Sequence, residues 1–251
     1  MKTRVIISDQ HNPHLNRAVE SYLTEHQEEG MVTMYLWKNQ QTVVIGYNQN
    51  PYSECNVQLL LDEGGHLMRR GTGGGAVYHD LGNLNYTLIM DAENPESLDL
   101  SFYCQPIIRA LRSLGIPAEG NSRNDITIEG KKISGNSQYL KNGRVMHHGT
   151  LLFDSDLPVL TSALKVDPDK LKAKGAKSVR SRVTNIKPFL KEDCDLPGFR
   201  TRFLSAFLKE NTGTFLTFSK EDMEAIEKLK NERYARWEWN YGFSPAGRFE
   251  K

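Results

Sequence analysis

Between Ile126 and Phe153 the chain carries the pattern that most restricts its fold. Ile126-Thr127-Ile128 runs into Glu129-Gly130, Lys132-Ile133-Ser134 follows, and Asn142-Gly143 precedes the run Val145 to Phe153. Successive side chains of a strand face opposite ways, and Asn-Gly supplies the two left-handed residues of a tight hairpin turn. The spacing predicts an antiparallel meander. Two more strand pairs are expected: Met31 to Trp37 with Thr42 to Tyr47 across polar Lys38 to Gln41, and Ala76 to Tyr78 with Leu84 to Met90 across His79 to Asn83. Arg4 to Ile7 reads as a first strand.

Helices are sparser. Asn12-Pro13 places a capping side chain before a proline at the first helical position, and Leu15, Ala18, Val19, Tyr22 and Leu23 then repeat at core-facing spacing. Ser53 to Asp62 reads as a short helix. Ser101 to Leu114 has helical spacing, with Pro106 delaying the regular part to about Gln105. Phe199 to Glu210 and Ser219 to Arg233 close the chain. Hairpins interleaved with a few helices predict an α+β class, a mostly antiparallel sheet flanked by helices.

Several function classes fall away on composition. The 32 Lys and Arg balance 31 Asp and Glu, so no broad basic face points to nucleic acid. No apolar run reaches the ~20 residues a membrane span requires, so no membrane partner is expected. Cys55, Cys104 and Cys194 are odd in number and widely spaced, which excludes a disulfide framework and fits a reducing, cytoplasmic setting. The exception to the charge balance is Lys165 to Lys191, with nine basic residues against Asp167 and Asp169.

The segment Arg69-Arg70-Gly71-Thr72-Gly73-Gly74-Gly75-Ala76-Val77-Tyr78-His79-Asp80 satisfies GxGxxA formally. A dinucleotide fingerprint needs a buried strand before the glycines and a helix after them. Here the preceding residues are polar and the following ones alternate like a strand. The loop is read instead as an anion nest, with Arg70 as a charged neighbour; a tight bulged turn with solvated arginines is the other reading. Lys132 sits on a strand, where it shares a face with Ser134 and leaves Ile133 on the other. It meets either an anion or solvent, and Gly135 permits close backbone approach. His147 and His148 face opposite ways, so they cannot share a metal, and a hydrogen-bonded, half-buried His148 is expected.

These residues carry a resemblance. Trp37-Lys38-Asn39, Thr42 to Gly46, Gln49-Asn50-Pro51, the glycine loop, Asn124-Asp125, Lys132-Ile133-Ser134-Gly135 and His147-His148-Gly149-Thr150-Leu151-Leu152 occur in order, followed by Lys177 to Asn185 and Trp237-Glu238-Trp239-Asn240-Tyr241-Gly242. The set resembles the lipoate–protein ligases over essentially the whole chain. The resemblance implies the biotin/lipoate-ligase catalytic fold, with residues 1–190 as the catalytic core and 191–251 as a C-terminal helical segment of the same domain. It implies that lipoate attacks the α-phosphorus of ATP with Mg²⁺ present, releasing pyrophosphate, and that a lysine of a lipoyl domain then attacks lipoyl-AMP. The acceptors it implies are the lipoyl domains of 2-oxo acid dehydrogenase E2 subunits and the glycine cleavage H protein.

Residue roles follow from the same resemblance. Arg70 with Gly73, Gly74, Gly75, Ala76, Val77 and Tyr78 would bind the nucleotide. Lys132 would bridge lipoyl carbonyl and phosphate as the catalytic cation, and Asp125 would hold Mg²⁺. His79, His148, Gly135 and Thr150 would line the acyl pocket, whose apolar chain would run along Leu15, Trp37 and Val44. Lys172 to Arg182 would form the adenylate-binding loop. Relatives continue past the Trp-Glu-Trp-Asn-Tyr-Gly stretch into a small accessory domain that this sequence lacks, so the chain is expected to be truncated, to work with a separate polypeptide, or to have lost that part. Two rivals remain. One is an ATP-independent octanoyl or lipoyl transferase, which needs a cysteine beside Lys132. The other is a binding module without turnover.

Overall fold

The computed structural model describes residues 2–92, 99–121, 124–164, 182–209 and 212–242. Its strands are β1 (Lys2–Ile7), β2 (Met31–Trp37), β3 (Thr42–Ile45), β4 (His66–Arg69), β5 (Val77–His79), β6 (Asn83–Asp91), β7 (Glu119–Gly120), β8 (Asp125–Ile128), β9 (Lys131–Lys141), β10 (Arg144–Leu152) and β11 (Thr212–Phe215). The helices are α1 (Pro13–Glu25), α2 (Pro51–Glu54), α3 (Val57–Asp62), α4 (Leu100–Ser113), α5 (Leu157–Ala163), α6 (Leu196–Leu208), α7 (Lys220–Leu229) and α8 (Trp237–Asn240). None is long and apolar enough to cross a membrane.

Among the described residues the strands form two sheets. The larger runs β11-β1-β2-β6-β10-β9-β8-β7, with β1 parallel to both its neighbours and every other pair antiparallel. The meander appears as expected. Glu129 and Gly130, and Asn142 and Gly143, all have positive φ between 51° and 73°, which gives each two-residue turn the twist of its strands.

The other two expected hairpins do not form. β2 pairs with β6 in the large sheet, while β3 crosses to a small sheet of order β4-β3-β5. β5 belongs there too, antiparallel to β3 rather than to β6. The reason lies in the connections. Asp80 caps Gly82 N through Oδ1 and accepts the Asp156 amide at 2.8 Å through Oδ2, so the expected hairpin loop is a corner tied to a distant segment. Polar β4 sits at the edge of the small sheet, parallel to β3.

Packing follows strand alternation. Val32, Met34 and Leu36 of β2, with Leu84, Tyr86 and Leu88 of β6, bury one face of the large sheet beneath α4 and α6. Tyr35 and Trp37 face the other way, towards α1 and α7. The Asn12 side chain accepts from His14 N and Leu15 N at 3.0 Å, which fixes the start of α1. α4 begins at Leu100, one turn and more before the expected Gln105. Asp99 caps it, and six buried side chains of the helix outweigh the one hydrogen bond lost at Pro106. The predicted helix 53–62 is broken in two, and the last helical stretch winds into a π-turn at Lys230–Tyr234.

Candidate active site

The two sheets leave a cavity between facing surfaces. From the large sheet come Trp37, Asn85, His148 and Thr150; from the small sheet come Val44, Met68, Val77 and His79. The enclosed part holds about 90 Å³. It shares Ala76, Val77, Lys132 and Thr150 with a wider chamber of about 350 Å³, which Tyr78, Asp125, Leu160 and Arg182 also line.

Lys132 stands where the chambers meet, and a bulge puts it there. Ile126 faces Ser134 and Thr127 faces Lys132, so two steps of β9 oppose one of β8. The expected sharing of a face by Lys132 and Ser134 is therefore broken: Ile133 and Ser134 are both fully buried while Lys132 reaches the cavity. Bulges commonly re-aim a side chain in this way. Its ammonium lies 2.7 Å from Asp125 Oδ1, and Gly135 makes room for it.

Arg70 is 5% exposed and its guanidinium is wrapped by the glycine loop. Nη2 donates to Gly73 O at 2.7 Å and Gly75 O at 2.8 Å, Nη1 to Val44 O, and Nε to Thr72 Oγ1. All these acceptors are neutral. Burial first, and nearby Arg17 second, push the guanidinium down to about 10, so an anion entering the cavity relieves a real electrostatic deficit.

A buried polar cluster backs the cavity. Glu20 Oε1 accepts from Thr87 Oγ1 at 2.7 Å and from His148 Nδ1 at 2.8 Å, and Oε2 accepts from Arg17 Nη1 at 3.1 Å. Burial alone would raise this carboxyl; His148, Arg17 and Thr87 outweigh it and hold the group well below its usual range. His148 is more enclosed than the half-buried state expected, at 9% exposure. His147 faces away, towards Gln138 and Cys104. Burial, then His148 and Arg70, push His79 down to about 3, so it is a neutral imidazole. Asn39 Nδ2 donates to its Nδ1, leaving the proton on Nε2, which has no partner among the described residues.

Most of the residues expected at the site meet here. Trp37, Val44, Arg70, Gly75, Ala76, Val77, His79, Lys132, Gly135, His148 and Thr150 line the enclosed part, and Tyr78 and Asp125 the wider one. Leu15 does not: it packs between α1 and the large sheet, because its place in the helical stripe turns it to the core. Gly73 and Gly74 are exposed and line neither chamber, with the Gly73 carbonyl taken by Arg70 and by Ser137 Oγ. Of the expected loop 172–182, all but Arg182 lies outside the described residues. Sequence reading missed Glu20, Met68, Asn85 and Asn136. Glu20 stands between two core-facing positions, Val19 and Leu23, and that spacing was the available sign.

No cysteine lines either chamber. Cys55 is buried in the small-sheet core, and burial pushes the Cys104 thiol up to about 12, so neither is a nucleophile for acyl transfer. Among the described residues there is also no group of three or more His, Cys, Asp or Glu placed to hold a metal.

The family model of the lipoyl protein ligase A/B catalytic domain matches residues 12–208. The chain belongs to this family. It is 41% identical over 237 residues to lipoate-protein ligase LplJ of Bacillus subtilis, covering 93% of this chain and 72% of that protein. It is 40% identical over 242 residues to lipoate–protein ligase 1 of Staphylococcus aureus, with coverage of 96% and 73%. A bipartite lipoate protein ligase from Thermoplasma acidophilum superposes with a TM-score of 0.84 at 28% identity, over 96% of this chain and 97% of that one. A lipoate-protein ligase A crystallised with ATP gives 0.82 at 25% identity, over 96% and 99%. The family membership, the α+β class and the mostly antiparallel sheet agree with the sequence reading.

Proposed function

We propose that this chain is an ATP-dependent lipoate–protein ligase whose reaction centres on Lys132. One observation carries the assignment of that residue: it lines both chambers at once, beside the loop wrapped around Arg70. The enclosed chamber, with Trp37, Val44 and Met68 as apolar wall, suits the acyl chain of lipoate. The wider one suits the nucleotide, and their junction is where carboxylate and α-phosphate would meet.

In the first step a carboxylate oxygen attacks the α-phosphorus and pyrophosphate leaves. In the second, the amine of an acceptor lysine attacks the acyl carbonyl, and AMP leaves with the bonding pair while the amine loses a proton. Negative charge grows on oxygens in both. Lys132 would neutralise it from a fixed position, and the buried, neutrally solvated Arg70 would do so at longer range. Asp125 would fit a Mg²⁺ held mainly by phosphates and water, as it offers one carboxylate and the described residues form no protein cage. That ion would supply charge neutralisation at the pyrophosphate.

The similarity to a ligase studied with its E2 lipoyl domain supports a lipoyl domain as acceptor, of the E2 or H-protein kind. A cytoplasmic site of action is part of the same reading. The test is the mass of an apo lipoyl domain after incubation with the chain, using lipoate plus MgATP in one arm and preformed lipoyl-AMP in the other. A lipoyl adduct in both arms, lost in Lys132→Ala, is expected. An adduct with lipoyl-AMP alone would make the chain a transfer core that needs an accessory domain. Unchanged product with Lys132→Ala would overturn the role given to that lysine.

A further inference from the structure

Two chains of hydrogen-bond donors end on one buried carboxylate. In the first, Trp37 Nε1 donates to Thr87 Oγ1 at 3.1 Å, and Thr87 Oγ1 donates to Glu20 Oε1 at 2.7 Å. In the second, Arg70 Nε donates to Thr72 Oγ1 at 3.0 Å, Thr72 Oγ1 lies 3.0 Å from His148 Nε2, and His148 Nδ1 lies 2.8 Å from the same Glu20 oxygen. Their direction follows from chemistry. A carboxylate only accepts, so His148 Nδ1 carries a proton and donates it to Glu20. A guanidinium only donates, so Thr72 Oγ1 accepts from Arg70 Nε, and its second contact joins it to His148 Nε2. Both chains converge on Glu20 Oε1.

The outer ends, Trp37 and Arg70, both line the smaller chamber, but they hold different parts of the cavity wall. Trp37 walls the end of the cavity assigned to the acyl chain. Arg70 holds, through the Gly73 and Gly75 carbonyls, the loop whose Ala76, Val77 and Tyr78 line the wider chamber. The connecting hydroxyls are buried, Thr87 fully and Thr72 at 1% exposure, and neither residue lines the cavity. Arg17, on the second oxygen of Glu20, keeps the shared acceptor ionised without solvent.

We propose that Glu20 is a positioning residue common to both substrate sites, setting the Trp37 indole through Thr87 and the glycine loop through His148, Thr72 and Arg70. The inference rests on the ligase reading, which places the acyl chain on the Trp37 side and the nucleotide at the loop. Its signature is a split that a merely structural role would not produce, because each hydroxyl serves one branch.

Thr72→Val and Thr87→Val remove the hydroxyls at nearly constant volume, and the two Thr→Ser variants keep them. Thr72→Val is expected to raise KM for MgATP about tenfold and KM for lipoate by several-fold less. Thr87→Val is expected to do the reverse, Glu20→Gln to raise both, and each serine variant to return to within about twofold of the parent. In ¹⁵N-histidine spectra of the ligand-free protein, His148 is expected to carry a proton on Nδ1, with the Nε2 resonance displaced in Thr72→Val and unmoved in Thr87→Val. Equal effects of both valine variants on both substrates, or none, would overturn the proposal, as would a His148 that carries no proton on Nδ1. The spectra need no turnover. A parent chain that forms no lipoyl-AMP but shows the expected His148 pattern would refute the ligase reading and leave the relay standing.

Discussion

The position of Lys132 depends on its neighbour three residues on. A Cβ built at Gly135 would lie 2.7 Å from Lys132 Nζ and 2.9 Å from its Cε. Real side chains do not approach so closely, and of the two the lysine end is the softer. Gly135→Ala therefore moves the ammonium off the junction of the chambers and away from Asp125 while leaving the strand intact. A displacement near 1 Å at a catalytic cation costs up to about 100-fold in rate. We expect kcat for adenylation to fall about 10- to 100-fold. The melting temperature should stay the same or rise slightly, since alanine narrows the unfolded ensemble. Single-turnover formation of lipoyl-AMP and a thermal melt measure the two. A large loss of stability would show that the glycine serves the backbone instead.

At the scale of elements, what could be read in the sequence was what local chemistry decides. The Asn12 cap, the Glu129-Gly130 and Asn142-Gly143 turns and the helical stripe of α1 each act within a few residues, and all are found as expected. Pairing between distant strands is different. β2 and β3, and β5 and β6, are neighbours in sequence with connections short enough for hairpins, yet each pair is divided between the two sheets. The small sheet is further fastened by Arg69, which carried no signal beyond standing before Arg70. Its guanidinium donates to the carbonyls of Gly46, Tyr47, Gln49, Trp239 and Asn240, while its backbone bonds the Asn240 and Trp239 side chains. One buried cation thus fastens the end of β3 and α8 to β4. A lysine keeps the charge but not the five-donor fork, so Arg69→Lys leaves several buried carbonyls unmet. The expected cost is about 2–4 kcal/mol in urea unfolding, well above a surface substitution. A change under 0.5 kcal/mol would mean the latch is incidental.

For the whole molecule, the buried histidines govern how stability depends on pH. Burial is the first cause in each case: it pushes His14 down to about 4, and His79 and His147 down to about 3, from an ordinary value of 6.5. Like charge from His66 adds to the shift at His14, and like charge from His148 at the other two. In the unfolded chain these rings take up protons as the pH drops through 6.5; in the folded protein they stay neutral until about 4 to 3. Folding is then favoured above pH 6.5 and weakens as the medium becomes more acidic, by up to about 1.4 kcal/mol per pH unit for each histidine. Glu20 acts in the same sense lower down, because its depressed carboxyl stabilises the fold above the ordinary value of 4.5 and that share is lost on further acidification. Urea midpoints measured at pH 7.5, 6.0 and 5.0 should fall across both intervals, about twice as steeply per pH unit between the last two as between the first two. His79→Gln, which keeps a neutral polar group against Asn39, should flatten the slope by roughly one proton. A midpoint that stays level from pH 7.5 to 5.0 would show that the rings titrate freely in the folded protein, and with that the neutral His79 behind the cavity would have to be given up.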